Sequence, residues 1–252
     1  ENGATIFDLP KHMVESSDLI ITCVKDADAV KEVLFGNDGI TSGKYTEISV
    51  ADMSTINPTS AQEISKKLHT MKIKSLEIPV MGGPNVAING GLVLMASGDK
   101  ELFETHQKIF KTIANKIFFL GESGSAHTIK LAMNMQISLL ALSLSEGIIL
   151  MKKAGIEPEK FLEILNSTYF GTGMSEKKAY KMIKNEYEPT FTLKNLKKDL
   201  DIIAKTAKDF DAVLPITERA NKIYDDALAA GFGELDYTGV LAYIEKISRT
   251  KD

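Results

Sequence analysis

The chain has 252 residues, 44% of them hydrophobic and 25% charged, with a formal net charge of −4. That balance is ordinary for a folded globular protein of one large or two modest domains, and it gives no reason to expect nucleic acid or an anionic membrane as partner. One cysteine excludes an intrachain disulfide, and four histidines without nearby Cys, Asp or Glu at ligand spacing exclude a zinc site, so no metal is expected.

Pro10 to Glu15 reads as a short helix, ended by polar residues 16–18. Leu19 to Val24 is a continuous apolar run, the pattern of a strand buried on both faces of a parallel sheet. It contains Cys23, which is therefore expected to be a buried, inert thiol, and cytoplasmic residence is expected with it. Asp28 to Leu34 predicts a helix, with Gly36, Gly39 and Gly43 in the loop beyond. Glu47 to Met53 predicts a strand. Asn57 then suits an N-cap and Pro58 a first helical position, opening a helix to about Leu68. Lys74 to Val80 is the next strand, broken by Gly82-Gly83-Pro84. Leu92 to Ala96, a helix over Leu102 to Ile113, and a strand over Lys116 to Leu120 complete this half. Strands and helices in alternation imply a parallel sheet with helices on its faces, a doubly wound Rossmann-like α/β domain.

From Ala126 onward only helices are expected: Ala126 to Ala154, Pro158 to Ser167, Lys177 to Asn185, Leu193 to Phe210, Pro215 to Ala230 and Asp236 to Ser248. The chain thus divides into an α/β domain, 1–123, and an all-helical domain, 124–252, with a cleft between them as the expected ligand site. The most apolar stretch, Met133 to Met151, is interrupted by Asn134, Gln136, three serines and Glu146. It is expected to be a helix buried in protein rather than a membrane span. Its length exceeds what one small helical domain buries, which predicts a homodimer or homotetramer joined through that domain. No signal peptide is read at the start.

Four segments carry chemistry. They are Asp52-Met53-Ser54-Thr55 with Pro58 beyond, then Glu77-Ile78-Pro79-Val80-Met81-Gly82-Gly83-Pro84, and then the run from Gly124 to Asn134 that includes Lys130. The fourth is Phe191 followed by Leu196-Lys197-Lys198-Asp199-Leu200. In this order they resemble the β-hydroxyacid dehydrogenases, the family of 3-hydroxyisobutyrate dehydrogenase, over essentially the whole chain. The family usually has serine where this chain has Met81, and no Gly-x-Gly-x-x-Gly stands before Leu19. A βαβ unit of roughly 30 residues carrying that motif would normally lie before Glu1. A stretch of sequence before Glu1 is expected, rather than a molecule lacking its central strand.

The resemblance implies an NAD- or NADP-dependent oxidoreductase acting on a small 3-hydroxy acid or its semialdehyde, with succinic semialdehyde or glyoxylate reduction as the neighbouring alternative. A non-catalytic oligomerising or binding module is the alternative of a different class. Oxidising a hydroxyl carbon requires a proton acceptor and fixed geometry from the protein. Lys130 is the implied acid/base, although a helix lysine is ordinarily solvated. Asn134 lies four residues on, on the same helix face, where its carbonyl can hold Lys130 and its amide can orient substrate oxygen. Met81, Gly82 and Gly83 end a strand where backbone N–H groups can approach an anion, and by resemblance they grip the substrate carboxylate. Ser54 and Thr55 end another strand and by resemblance contact the nicotinamide side of the cofactor, although a helix-entry cap is the plainer reading. Val24 and Lys25 end the first strand and line the same crevice. Lys198 matches a family lysine near both cofactor and substrate.

Overall fold

The computed structural model describes residues 3–45 and 47–249, so Glu1 lies outside the described residues. They form two compact units, residues 1–131 and 132–252, that divide within one long helix.

The first unit opens with two 3-10 turns, Pro10–His12 and Val14–Ser16, in place of one helix. Then follow β1 (Leu19–Thr22), α1 (Ala27–Phe35), β2 (Ser49–Asp52), α2 (Pro58–Thr70) and β3 (Lys74–Glu77). Asp26 caps α1 by accepting the Ala29 N–H, and Asn57 caps α2 by accepting from Thr59 and Ser60, with Pro58 at the first helical position as expected. β1, β2 and β3 pair in parallel. Next come β4 (Val80–Met81), the single turn α3 (Pro84–Ala87), β5 (Leu92–Gly98), α4 (Lys100–Thr105), α5 (Gln107–Ile113) and β6 (Ala114–Phe119).

Here the sheet departs from the all-parallel expectation. β3 and β4 both pair antiparallel to β5, while β6 runs parallel to β5. The cause is connection length. Only ten residues separate Met81 from Leu92, too few for a crossover, so the chain turns back on itself. Fifteen residues, Asp99 to Ile113, separate β5 from β6 and include two helices, enough for a parallel return.

The sheet is covered on both faces. Val50 joins a core with Val30 and Leu34 of α1 and Ala61, Ile64 and Leu68 of α2. Its neighbour Ala51 faces the opposite core with Leu102, Phe103 and Phe110 of α4 and α5. Alternate β2 side chains therefore enter different layers, as a doubly wound sheet requires. β1 is less enclosed than its apolar run predicts. Ile20 is buried, but Ile21 is 38% exposed, because α4 and α5 pack farther along the sheet. Cys23 lies beyond the strand end and is exposed, which corrects the buried reading. Partial desolvation, and then the Asp52 carboxylate, push its thiol up, so it remains a poor nucleophile.

The long helix α6 (Ser125–Lys153) leads into the second unit. There follow α7 (Pro158–Asn166), α8 (Gly173–Lys177), α9 (Ala179–Ile183), α10 (Leu193–Asp209), α11 (Pro215–Ala227), a π-type turn over Leu228–Phe232, and α12 (Val240–Arg249). The predicted helix at Lys177 to Asn185 is thus two short helices. Leu144, Ile148, Leu162, Met182 and Leu241 form the unit's core. Only 39% of the apolar stretch of α6 is buried, although the sequence led to a buried helix. By length and composition this helix could also cross a membrane.

Candidate active site

In the first unit the sequence-selected residues gather at the C-terminal ends of β1, β2 and β4. Lys130, in the second turn of α6, donates from Nζ to the Val80 carbonyl oxygen (2.8 Å) and lies 3.1 Å from Met81 Sδ. Lys130 is therefore held at the end of β4, where the chain enters Gly82-Gly83. Gly82 has φ +130°, a backbone conformation that favours glycine, and a Cβ there would come within 2.7 Å of Leu92 Cδ2, which would have to shift. Gly83 is extended and precedes α3.

Ser54 is buried, and its Oγ accepts the Val24 N–H (3.0 Å), tying the ends of β1 and β2 together. Its hydroxyl is engaged within the protein, whereas Thr55 is partly exposed. Lys25 extends into solvent and pairs with Asp26 at 3.3 Å.

Beneath this surface lies a polar layer that was not singled out from the sequence. Asp52 and Glu77 are side by side on β2 and β3, in register. Asp52 Oδ1 accepts from the Thr22 hydroxyl (2.7 Å) and the Ser54 N–H (3.2 Å). Burial pushes the Asp52 carboxyl up, against the downward pull of those bonds. Burial also raises Glu77, opposed by hydrogen bonds from Ser123, Ser97 and Gly124 and reinforced by Asp52. His127, fully buried in the first turn of α6, has Nε2 3.9 Å from Asp52 Oδ2. Neither ring nitrogen nor that oxygen has a hydrogen-bond partner among the described residues. Burial, and secondarily the charge of Lys130, lower His127 to about 3, so it is neutral near pH 7.

In the second unit, Asn134 is buried, and its Nδ2 donates to Asp199 Oδ2 (2.6 Å). Lys198 Nζ lies 2.9 Å from Asp199 Oδ1. Asp199 thus joins Asn134 and Lys198, a role the sequence reading missed although the residue stands inside the quoted 196–200 segment. Asn134 Oδ1 accepts no hydrogen bond among the described residues. A buried acceptor without a partner is uncommon and suits a group that receives a ligand donor. Among the described residues no cluster of three metal-ligating side chains exists.

Two family models match nearly end to end. Residues 1–121 match the NAD-binding domain of 6-phosphogluconate dehydrogenase, and residues 124–244 match the NAD-binding model of NADP-dependent 3-hydroxyisobutyrate dehydrogenase. Among curated proteins, the chain is 28% identical over 249 residues to 2-hydroxy-3-oxopropionate reductase of Escherichia coli, covering 99% of this chain and 85% of that one. It is 31% identical to the cytokine-like nuclear factor N-PAC of Anopheles gambiae over 95% of this chain but only 42% of that protein. The chain therefore spans about two fifths of the N-PAC relatives' length. Among solved structures, 3-hydroxyisobutyrate dehydrogenase from Salmonella typhimurium superposes with TM-score 0.83 at 25% identity, over 93% of this chain and 82% of that one. The Mycobacterium tuberculosis enzyme of the same name, with L-serine, gives 0.85 at 21% identity, over 94% and 83%, a likeness of fold.

Proposed function

Since this chain belongs to the β-hydroxyacid dehydrogenase family, we propose that it transfers hydride between NAD or NADP and a small 3-hydroxy acid or the corresponding semialdehyde. The observation that carries this reading is the seat of Lys130 against Val80 and Met81, beside the Gly82-Gly83 turn. An ionisable amine held at strand ends, next to a turn whose Gly82 takes a positive φ, is what proton transfer at a carboxylate-bearing substrate needs.

The ends of the parallel strands β1 and β2 meet at the Ser54–Val24 hydrogen bond and make the crevice edge where Rossmann-like sheets take a dinucleotide. Thr55, Val24 and Lys25 would hold the nicotinamide end there. The nicotinamide, when bound, supplies the hydride acceptor or donor. Backbone N–H groups at Gly82 and Gly83 would receive the substrate carboxylate. In oxidation Lys130 Nζ takes the hydroxyl proton as hydride leaves the carbon. In reduction the Lys130 ammonium returns that proton to the carbonyl oxygen. Asn134 orients the substrate oxygen, with its amide plane fixed by Asp199 and its carbonyl available for a donor.

The similarity to 2-hydroxy-3-oxopropionate reductase over 99% of the chain favours reduction of a small aldehyde-bearing acid as the second reading. Reading the chain as a non-catalytic module is disfavoured by the presence of Lys130, which is only partly buried, and by the Asn134 carbonyl, which accepts no hydrogen bond among the described residues.

The test is turnover of a panel of small 3-hydroxy acids and semialdehydes with each cofactor, comparing the parent with Lys130→Ala. Loss of kcat by about 10²- to 10⁴-fold is expected. Unchanged turnover in the variant overturns the mechanism. We also infer a homodimer or homotetramer built through α6, supported by its exposed apolar residues, among them Leu150 at 63%.

A further inference from the structure

α6 begins without a capping side chain of its own. The residue before it is Gly124, whose carbonyl accepts the Thr128 N–H and whose φ is +95°. The cap comes instead from two sheet residues. Glu77 of β3 accepts the Gly124 N–H on both carboxylate oxygens (2.7 and 2.9 Å) and the Ser123 hydroxyl at 2.5 Å. Ser97 of β5 accepts the Ala126 N–H (3.1 Å) and donates its own hydroxyl to Glu77 Oε2 (2.8 Å). Both residues are buried, Glu77 at 5% exposure and Ser97 at 0%.

The same strand segment that holds the start of α6 through Glu77 also receives Lys130, through Val80 and Met81. The two spans match in length. Three residues from Glu77 to Val80 cover about 10 Å of extended chain. Six residues from Gly124 to Lys130 cover about 9 Å of helix. The strand and the helix are therefore fastened at two points of equal separation, and the first point sets where the second falls.

We propose that Glu77, assisted by Ser97, is the positioning residue for Lys130, fixing the axial and rotational setting of α6 so that the Lys130 ammonium meets the end of β4. Catalytic significance rests on the role assigned to Lys130 above, but the positioning itself does not. A carboxylate at the positive end of a 29-residue helix is favoured electrostatically, and bidentate acceptance of one N–H leaves it little freedom to slide. Glu77 touches no reacting atom, and its effect passes through the helix.

The experiment labels lysine with 13C at Cε and follows the Lys130 resonance, assigned by its absence in Lys130→Arg. Glu77→Ala is expected to move that resonance toward the position shared by exposed lysines while the amide spectrum of the α/β core persists. In the same variant kcat is expected to fall about 10- to 100-fold with substrate KM within about twofold, the pattern of a misplaced acid/base. Glu77→Gln keeps one carbonyl acceptor and is expected to give an intermediate shift. If Glu77→Ala does not fold, Ser97→Ala, which keeps the carboxylate but removes the Ala126 acceptor, is expected to shift the resonance in the same direction. An unchanged Lys130 resonance in any folded variant of the three overturns the proposal. A shifted resonance together with full activity of Lys130→Ala would keep the positioning and remove the proposed chemistry. An inactive Lys130→Ala alongside an unmoved resonance in Glu77→Ala would do the reverse.

Discussion

At His127 burial and charge act in one direction. The ring is fully enclosed, with the Lys130 ammonium the next contribution, and its pKa stands at about 3 against an ordinary 6.5. As pH falls from 6.5 toward 3, the unfolded chain takes a proton on this imidazole and the folded chain does not, so acidification favours unfolding by up to ~1.4 kcal/mol per pH unit. Asp52 and Glu77, both raised in the folded state, act with the opposite sign, because the fold holds their protons more tightly than the unfolded chain does. A comparison of parent with His127→Gln isolates the imidazole. Urea unfolding at pH 7 and pH 5 is expected to show the variant losing less stability, by up to ~2 kcal/mol. Equal acid sensitivity in the two proteins refutes the account. Lys130 was legible in the sequence because its motif is contiguous. Glu77 was quoted in a motif, but its role was not legible, since its partners lie 46 and 47 residues away at Ser123 and Gly124. Asp199 escaped for a related reason, as its carboxylate acquires meaning only through Asn134, 65 positions earlier. Cys23 was misread because an apolar run does not state where its strand stops.

Among the elements, the helices announced their own beginnings. Asn57-Pro58 and Pro158 open α2 and α7 as expected, because capping and proline geometry are local. Strand direction was less legible, since it depends on what the connection can span. The ten residues before β5 decide its reversal, and an apolar pattern is blind to that. The start of α6 is a joint sensitive to a single added atom. At Gly124 a side chain would need φ +95° and would place Cβ 2.7 Å from Gln62 Nε2, which itself donates to the Ser123 carbonyl. Gly124→Ala is expected to cost ~1–3 kcal/mol. Denaturant midpoints measure it, and a variant as stable as the parent would show that this backbone turn relaxes freely.

For the whole molecule, the α/β-then-helical organisation was readable because the periodicity changes once and does not return. The extent of burial along α6 was not, since an apolar helix reads alike whether it faces its own core or another chain. Leu150 on α6, at 63% exposure, is costly to leave in water and belongs to the surface proposed for self-association. Light scattering of the parent is expected to give a dimer or tetramer, and Leu150→Glu a lower mass. A monomeric parent removes the assembly from the proposal.

The reversal of β5 has one more consequence. Because β5 and β6 run against β3, the chain leaves β6 at the end of the sheet away from the Met81-Gly82-Gly83 turn. α6 then runs from Glu77, the last residue of β3, toward the end of β4, and it is Lys130, not the first residues of the helix, that arrives at Val80 and Met81. The lysine is thus placed by counting, a fixed number of residues from the anchor at Glu77. One residue inserted between Gly124 and Lys130 would change its phase by about 100°, aiming the amine away from β4 while leaving every apolar contact of the sheet itself intact.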